Sequence, residues 1–206
     1  MVFQSLTDQQ LDALKEVSNI GMGHAATAMS QLIGQTIYLK VPHVTVTDIA
    51  AVPEILGGPE RLVVGISLQI LGGARGDILL VFPTDSVNRL LTILLGDAHR
   101  GSELDDIATS TLKEVGNILA SAYLNALGSV LGLTLIPSVP ALAYDMAGAI
   151  ADHVLIELSQ EGDYALMVET LFHGTQNTPD AITGHFFLLP DPGSMAVILR
   201  VVGNPL

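Results

Sequence analysis

The chain has 206 residues, 49% hydrophobic and 14% charged, which is enough length and apolar content for a sizeable core and excludes a disordered chain. Its formal net charge of −13 argues against nucleic acid as a partner, because a phosphate backbone repels an acidic surface. The absence of cysteine excludes disulfides and thiolate sites, and with neither a signal segment nor an apolar run of about 18 residues, we expect a cytoplasmic protein without membrane insertion.

The first half of the chain predicts a long helix, three strands and a second helix. Thr7 and Gln10 form a capping-box signal that starts the first helix, and Gly34 offers a left-handed stop. Runs rich in β-branched and apolar residues, separated by glycine and proline turns, predict strands at Thr36 to Thr47, Arg61 to Leu71 and Gly76 to Phe82. Leucines and a valine at helical spacing predict the closing helix, Asp85 to Leu95.

The second half predicts the same order of parts. A long helix begins near Asp105 and continues to Leu131. Strands are predicted near Thr134 to Tyr144, Ala151 to Leu158, Tyr164 to Leu171 and His185 to Leu189. The last helix begins with Asp191 as its N-cap and Pro192 as its first residue, and it ends at Gly203.

An internal repeat links the two halves. Residues 14–21 read LKEVSNIG and residues 112–118 read LKEVGNI, and a proline follows each segment at the same distance. Sequence repeats of this kind indicate duplicated structural units. We therefore predict an α+β fold with an antiparallel sheet, a single domain over 1–206 built of two repeats, about 1–100 and 101–206. The repeats are related by a pseudo-two-fold axis, and each consists of a helix, three strands and a second helix. The two long helices carry the repeated residues.

The repeated polar residues fall on the outward face of each long helix. At about 100° per residue, Glu16 and Asn19 lie away from the apolar face, and Glu114 and Asn117 take the same angles in the second helix. Any surface helix displays polar residues, so a purely structural explanation is available. Recurrence at identical spacing, and an asparagine inside a helix that it does not favour, indicate recognition or catalysis instead.

Two other candidate sites find little support. The segment Gly21-Met22-Gly23-His24 has glycines suited to a phosphate loop, but it lies inside a predicted helix and lacks the preceding strand and the GK[ST] sequence. Close helix packing explains those glycines better. The six histidines have no ligand spacing, so we predict no metal site.

The repeated residues also match a known family pattern. The pattern is Asp or Ser, three residues, Glu, two residues, Asn, twenty-two residues and Pro. The complete matches are Asp12, Glu16, Asn19 and Pro42 in the first half, and Ser110, Glu114, Asn117 and Pro140 in the second. In this the chain resembles the CheC/CheX/FliY phosphatase family, and it has the two motifs of that family's two-site members.

The resemblance implies a function. Family members hydrolyse the aspartyl-phosphate of the response regulator CheY, and two-site members also bind the deamidase CheD. If the matching residues have the same roles as in the family, Asn19 and Asn117 position a water molecule. Glu16 and Glu114 then pair with the regulator's lysine. The remaining motif residues, Asp12, Ser110, Pro42 and Pro140, would support them.

We further expect a monomer that binds no cofactor or metal, with Mg²⁺ held by the partner's receiver domain. The alternative is a non-catalytic adaptor that binds phosphorylated CheY and CheD through the same helix faces.

Overall fold

The computed structural model describes residues 6–34, 36–41, 43–96, 104–158, 164–173 and 182–202. The helices are α1 (Asp8–Ile33), α2 (Val52–Ile55), α3 (Thr84–Leu95), α4 (Asp106–Leu131), α5 (Ala147–Leu158) and α6 (Pro192–Val202), with a 3-10 turn, Ile49–Ala51, before α2. The strands are β1 (Tyr38–Lys40), β2 (Val44–Asp48), β3 (Leu62–Gly72), β4 (Gly76–Pro83), β5 (Leu135–Pro137), β6 (Ala141–Met146), β7 (Tyr164–His173) and β8 (Ile182–Pro190).

The two long helices begin and end with matching signals. Thr7 and Gln10 form the predicted capping box at the start of α1, and Gly34 ends that helix with a φ of 72°. The Asp105 carboxylate accepts a hydrogen bond from the first turn of α4, and Gly132 ends α4 with a φ of 67°. Both helices are 26 residues long. Their first and last residues agree with the bounds predicted from the sequence, which are therefore confirmed.

The eight strands of the described residues form one antiparallel sheet. Its order is β1-β7-β8-β4-β3-β5, with β2 also paired to β7 and β6 also paired to β3. The first-half strands β1 and β2 therefore pair with a second-half strand, β7, and the second-half strands β5 and β6 pair with β3. Because the strands at each edge come from the other half than the strand they pair with, neither half could complete its edge of the sheet alone.

The predicted strand count is wrong. The single strand predicted over Thr36 to Thr47 is β1 and β2, and the one predicted over Thr134 to Tyr144 is β5 and β6. Among the described residues each half therefore has four strands, where the predicted plan of a half had three. Pro140 lies in the second break, where a residue without an N–H cannot continue the ladder. The first break contains Pro42, which lies outside the described residues.

The strand predicted over Ala151 to Leu158 is also wrong, since those residues belong to α5. A β-branched, apolar run favoured the strand, but the helix begins at Ala147, and its buried residues Ala147, Ile150 and Ala151 follow helical spacing. Ala147 and Ile150 pack with Val63 and Phe187, which lie on the sheet. Tertiary packing overrides local β propensity here. The other predicted strands and helices are confirmed, including the start of α6, where the Asp191 carboxylate accepts from the Ser194 N–H at 2.6 Å. Gly203, the predicted end of that helix, lies outside the described residues.

Side chains on the two faces of the sheet enter two separate cores. On β4 and β8, Leu80 and Phe186 join the larger core, which helices α1, α3, α4 and α6 cover. The neighbouring Leu79 and Phe187 join the smaller core, under α2 and α5. This alternation follows from the two-residue period of a strand. No helix in the described part of the chain combines the length and apolar character that crossing a membrane requires.

Helices α1 and α4 approach each other closely at Gly21. A Cβ atom added there would lie 2.9 Å from the Cα of Tyr123 and 3.3 Å from the carbonyl oxygen of Ala122. Tyr123 is fully buried, and its ring lies 4.7 Å from that of Phe186 in the sheet. Gly21 therefore sets the separation of the two long helices, and close helix packing is the role it has here. Gly23, by contrast, is exposed, with no atom within 4 Å of an added Cβ.

We expect Gly21→Ala to lower the free energy of unfolding by about 1–3 kcal/mol, because the added methyl group meets backbone atoms that cannot rotate away. Gly23→Ala is the matched control, and it should raise stability by up to about 1 kcal/mol through helix propensity. Urea unfolding of both variants measures the difference. Equal effects of the two substitutions would contradict the close contact.

Candidate functional site

The four repeated polar residues all lie on the outer surface of the two long helices. Glu16, Asn19 and Glu114 are exposed, and Asn117 is half-buried. The opposite faces of α1 and α4 are buried in the larger core, through Leu14, Val17, Met22, Leu112, Val115 and Leu119. Burial of that apolar stripe orients each helix and leaves the Glu and Asn pair on the outside.

The second motif lines one open groove of about 500 Å³. Helix α4 contributes Ser110, Lys113, Glu114 and Asn117, and the segment between β5 and β6 contributes Pro137, Ser138, Val139 and Pro140. The structure therefore brings together all four residues that the sequence pattern places in this motif. Lys113 and Val139 were not singled out from the sequence, although the repeated LKEV segment already contains a lysine at that position in both halves.

Hydrogen bonds to the sheet hold the groove's second wall. The Ser138 N–H donates to the Gln69 carbonyl oxygen at 2.9 Å, and the Gln69 N–H donates to the Ser138 hydroxyl oxygen at the same distance. Gln69 lies in β3, which also pairs with β5 and β6 on either side of the break. The segment is therefore fixed to a central strand by its backbone and by its serine side chain.

The first motif is carried by α1 in the corresponding way. Asp12, Glu16 and Asn19 are all exposed. The Ile37 N–H donates to the Ser30 hydroxyl at 2.8 Å, which ties the start of the following segment to the end of α1. Pro42, the fourth motif residue, lies outside the described residues, so the structure brings together three members of this motif on one helix face.

Each Glu and Asn pair is available to a partner. Within the described part of the chain, no hydrogen bond or ion pair holds the side chains of Glu16, Asn19, Glu114 or Asn117. A carboxylate can accept a charge-assisted hydrogen bond from a cation, and an amide both donates and accepts, so it can orient a water molecule. Within one helical turn, the glutamate can therefore bind a cation and the asparagine can position a water molecule. Among the described residues there is also no cluster of three metal-binding side chains.

Comparison with known proteins gives the family. The sequence profile of the CheC-like family matches residues 10–46 and 107–144, one segment in each half. Over 208 residues the chain is 34% identical to the CheY-P phosphatase CheC of Bacillus subtilis, an alignment that covers 100% of this chain and 99% of that protein. The chain is also 26% identical, over 127 residues, to the flagellar motor switch phosphatase FliY of the same organism, covering 61% of this chain and 33% of FliY.

Solved structures share the fold. The crystal structure of Thermotoga maritima FliY matches with a TM-score of 0.77 and 21% identity, covering 97% of this chain and 98% of that one. The middle domain of FliM from H. pylori matches with a TM-score of 0.67 and 14% identity, covering 95% and 99%. The architecture is thus a helix-and-antiparallel-sheet fold shared with FliY and with the middle domain of FliM. Within that class, the chain belongs to the CheC-like family.

The exposed site residues should contribute little to folding. We expect Glu114→Ala to change the free energy of unfolding by less than about 0.5 kcal/mol, and Asn19→Ala to raise it slightly, since alanine is the better helix former. Asp105→Ala is the comparison, and it should cost about 1 kcal/mol because its side chain caps α4. Thermal and urea unfolding measure all three. A loss above about 1 kcal/mol in either site variant would indicate a structural role instead.

Proposed function

We propose that this protein is a phosphatase that hydrolyses the aspartyl-phosphate of a CheY-type response regulator, with one site on α1 and one on α4. The observation that carries the proposal is the Glu and Asn pair on the outer face of each helix, which in α4 shares one groove with Ser110 and Pro140. The full-length relative of 34% identity, named a CheY-P phosphatase, supports the same conclusion.

The reaction needs positioning more than it needs a strong base. An aspartyl-phosphate is an activated acyl phosphate, and the receiver domain that carries it supplies Mg²⁺ and a lysine. Water attacks phosphorus, the bond between phosphorus and the aspartate oxygen breaks, and inorganic phosphate and a free carboxylate result. Asn19 and Asn117 hold the attacking water in line through their side-chain amides. Holding a reactant in the right geometry can supply several kcal/mol of the barrier reduction.

The glutamates dock the helix onto the regulator. Glu16 and Glu114 each lie one helical turn before the asparagine of their motif, so both side chains reach the same small area. Each carboxylate pairs with the lysine of the receiver's phosphorylation site, and the ion pair orients the amide toward the phosphoryl group. Ser110 and Pro140 support the second pair by lining the same groove, and Asp12 and Pro42 are their counterparts in the first motif.

We also propose that the chain is one domain of two repeats, about 1–100 and 101–206, related by a pseudo-two-fold. The support is the sheet order, which is unchanged when β1, β2, β3 and β4 are exchanged with β5, β6, β7 and β8. Two separate matches to one family profile support it as well. From the family resemblance we further propose CheD as a second partner, a monomeric state and a place in the cytoplasm beside the regulator.

Replacing both asparagines should separate binding from turnover. In the double variant Asn19→Ala and Asn117→Ala, we expect phosphate release from phosphorylated CheY to fall about a hundredfold or more, because the water loses its orienting amide. Affinity for beryllofluoride-activated CheY should change little. Asn125→Ala is the matched control, an exposed asparagine two turns further along α4.

The assay uses the protein in catalytic amounts, so that many equivalents of phosphorylated CheY must be processed. Undiminished turnover in the double variant would contradict the role of the asparagines. Wild-type protein that binds phosphorylated CheY without accelerating phosphate release would instead establish the non-catalytic adaptor.

Replacing both glutamates should weaken docking and reduce its dependence on salt. With Glu16→Gln and Glu114→Gln we expect KM to rise and the effect of added NaCl on KM to shrink, because a neutral amide forms no screened ion pair with lysine. Glu54→Gln is the control, since Glu54 is exposed on α2, on the other side of the sheet. An unchanged salt dependence in the double variant would show that the carboxylates form no ion pair with the regulator.

A further inference from the structure

Val139 is an apolar side chain held in the open beside the second site. It is 88% exposed and lines the same groove as Glu114 and Asn117. It also borders a neighbouring groove, lined by Ser67, Gln69 and other residues, so it forms the ridge between the two. A large exposed apolar side chain on a ridge next to a binding site is well placed to contact whatever enters that site.

The backbone around Val139 is rigid. Ser138, directly before it, makes the two hydrogen bonds to Gln69 described above, and Pro137 and Pro140 restrict the backbone on either side. Little conformational freedom is therefore lost when a partner covers the valine. Such pre-organisation favours binding, because folding has already restricted this backbone and binding costs little further conformational entropy.

The position of Val139 identifies its partner. Under the proposed function, the regulator must bring its phosphoryl group to Asn117, and Val139 lines the same groove. The receiver-domain surface beside the phosphorylation site therefore meets Val139 as it docks. This contact is continuous with the site itself and requires no additional binding partner.

The equivalent position in the first half is buried. Val41 precedes Pro42 as Val139 precedes Pro140, yet Val41 is only 4% exposed and belongs to the larger core. The same residue type at the same position in the repeat is thus buried in one half and exposed in the other. Two sites with the same Glu and Asn pair therefore present different surfaces to a partner.

We propose that Val139 is a specificity-determining docking contact for the phosphorylated regulator at the second site, and that the first site lacks this contact. The proposal rests on the proposed function and extends it, since it assigns the two sites different modes of recognition. It concerns binding of the regulator and not the chemical step, because a valine can neither orient water nor stabilise charge.

The test isolates each site in the full-length chain. Glu16→Arg repels the regulator's lysine from the first site, and Glu114→Arg does so at the second. In the Glu16→Arg background, Val139→Ser should weaken the affinity for beryllofluoride-activated CheY, and raise KM for phosphorylated CheY, by about fivefold or more, with kcat little changed. In the Glu114→Arg background the same substitution should change neither quantity.

Two variants control for unspecific effects. Val130→Ser makes the same chemical change at an exposed valine near the C-terminal end of α4, and it should leave both quantities unchanged. Val139→Ile should retain wild-type affinity, and urea unfolding should confirm that Val139→Ser is as stable as the wild type.

An equal loss in both backgrounds, no loss in either, or a comparable loss with Val130→Ser would overturn the proposal. Binding without hydrolysis in both backgrounds would refute the phosphatase function, and the affinities would still decide whether Val139 contacts the regulator.

Discussion

The structure depends on the close contact between α1 and α4 at Gly21. There the backbone of one helix meets Tyr123 of the other with no room for a Cβ atom, and the buried Tyr123 ring packs on Phe186 in the sheet. This contact joins both motif helices to each other and to one face of the sheet. Each helix then has a single buried stripe and a single outer face, and the polar pairs lie on the outer faces.

Strand exchange completes the arrangement. Because β5 and β6 pair with β3, the segment that carries Ser138 and Val139 is attached to the first half of the chain while it lies beside α4 of the second. The groove at Asn117 therefore lies between α4 and the loop that joins β5 to β6. Pairing with β3, a strand of the other half, fixes the position of that loop. Such a site is rigid, which suits a reaction that needs accurate positioning of a water molecule.

The sequence alone predicted much of this, where the signals were local. The ends of α1 follow from Thr7 and Gly34, since caps act within one turn, and the predicted bounds of α4 agree with the structure as well. The outward placement of the Glu and Asn pairs follows from helical periodicity. The errors came where local and tertiary preferences disagree. The Ala151 to Leu158 run has β-branched residues, yet it continues a helix whose first turn packs on the sheet through Ala147 and Ile150.

By itself, then, the sequence determined the two capped helices, the repeated motif and its exposure, because these depend on spacing along one chain segment. Only the tertiary structure decided which strands are neighbours, that Pro140 joins Asn117 in a groove, and that Val139 is exposed while Val41 is buried. Those features depend on contacts between residues far apart in sequence. Two valines that each precede a proline at the same position of the repeat cannot be told apart until the surrounding chain is packed around them.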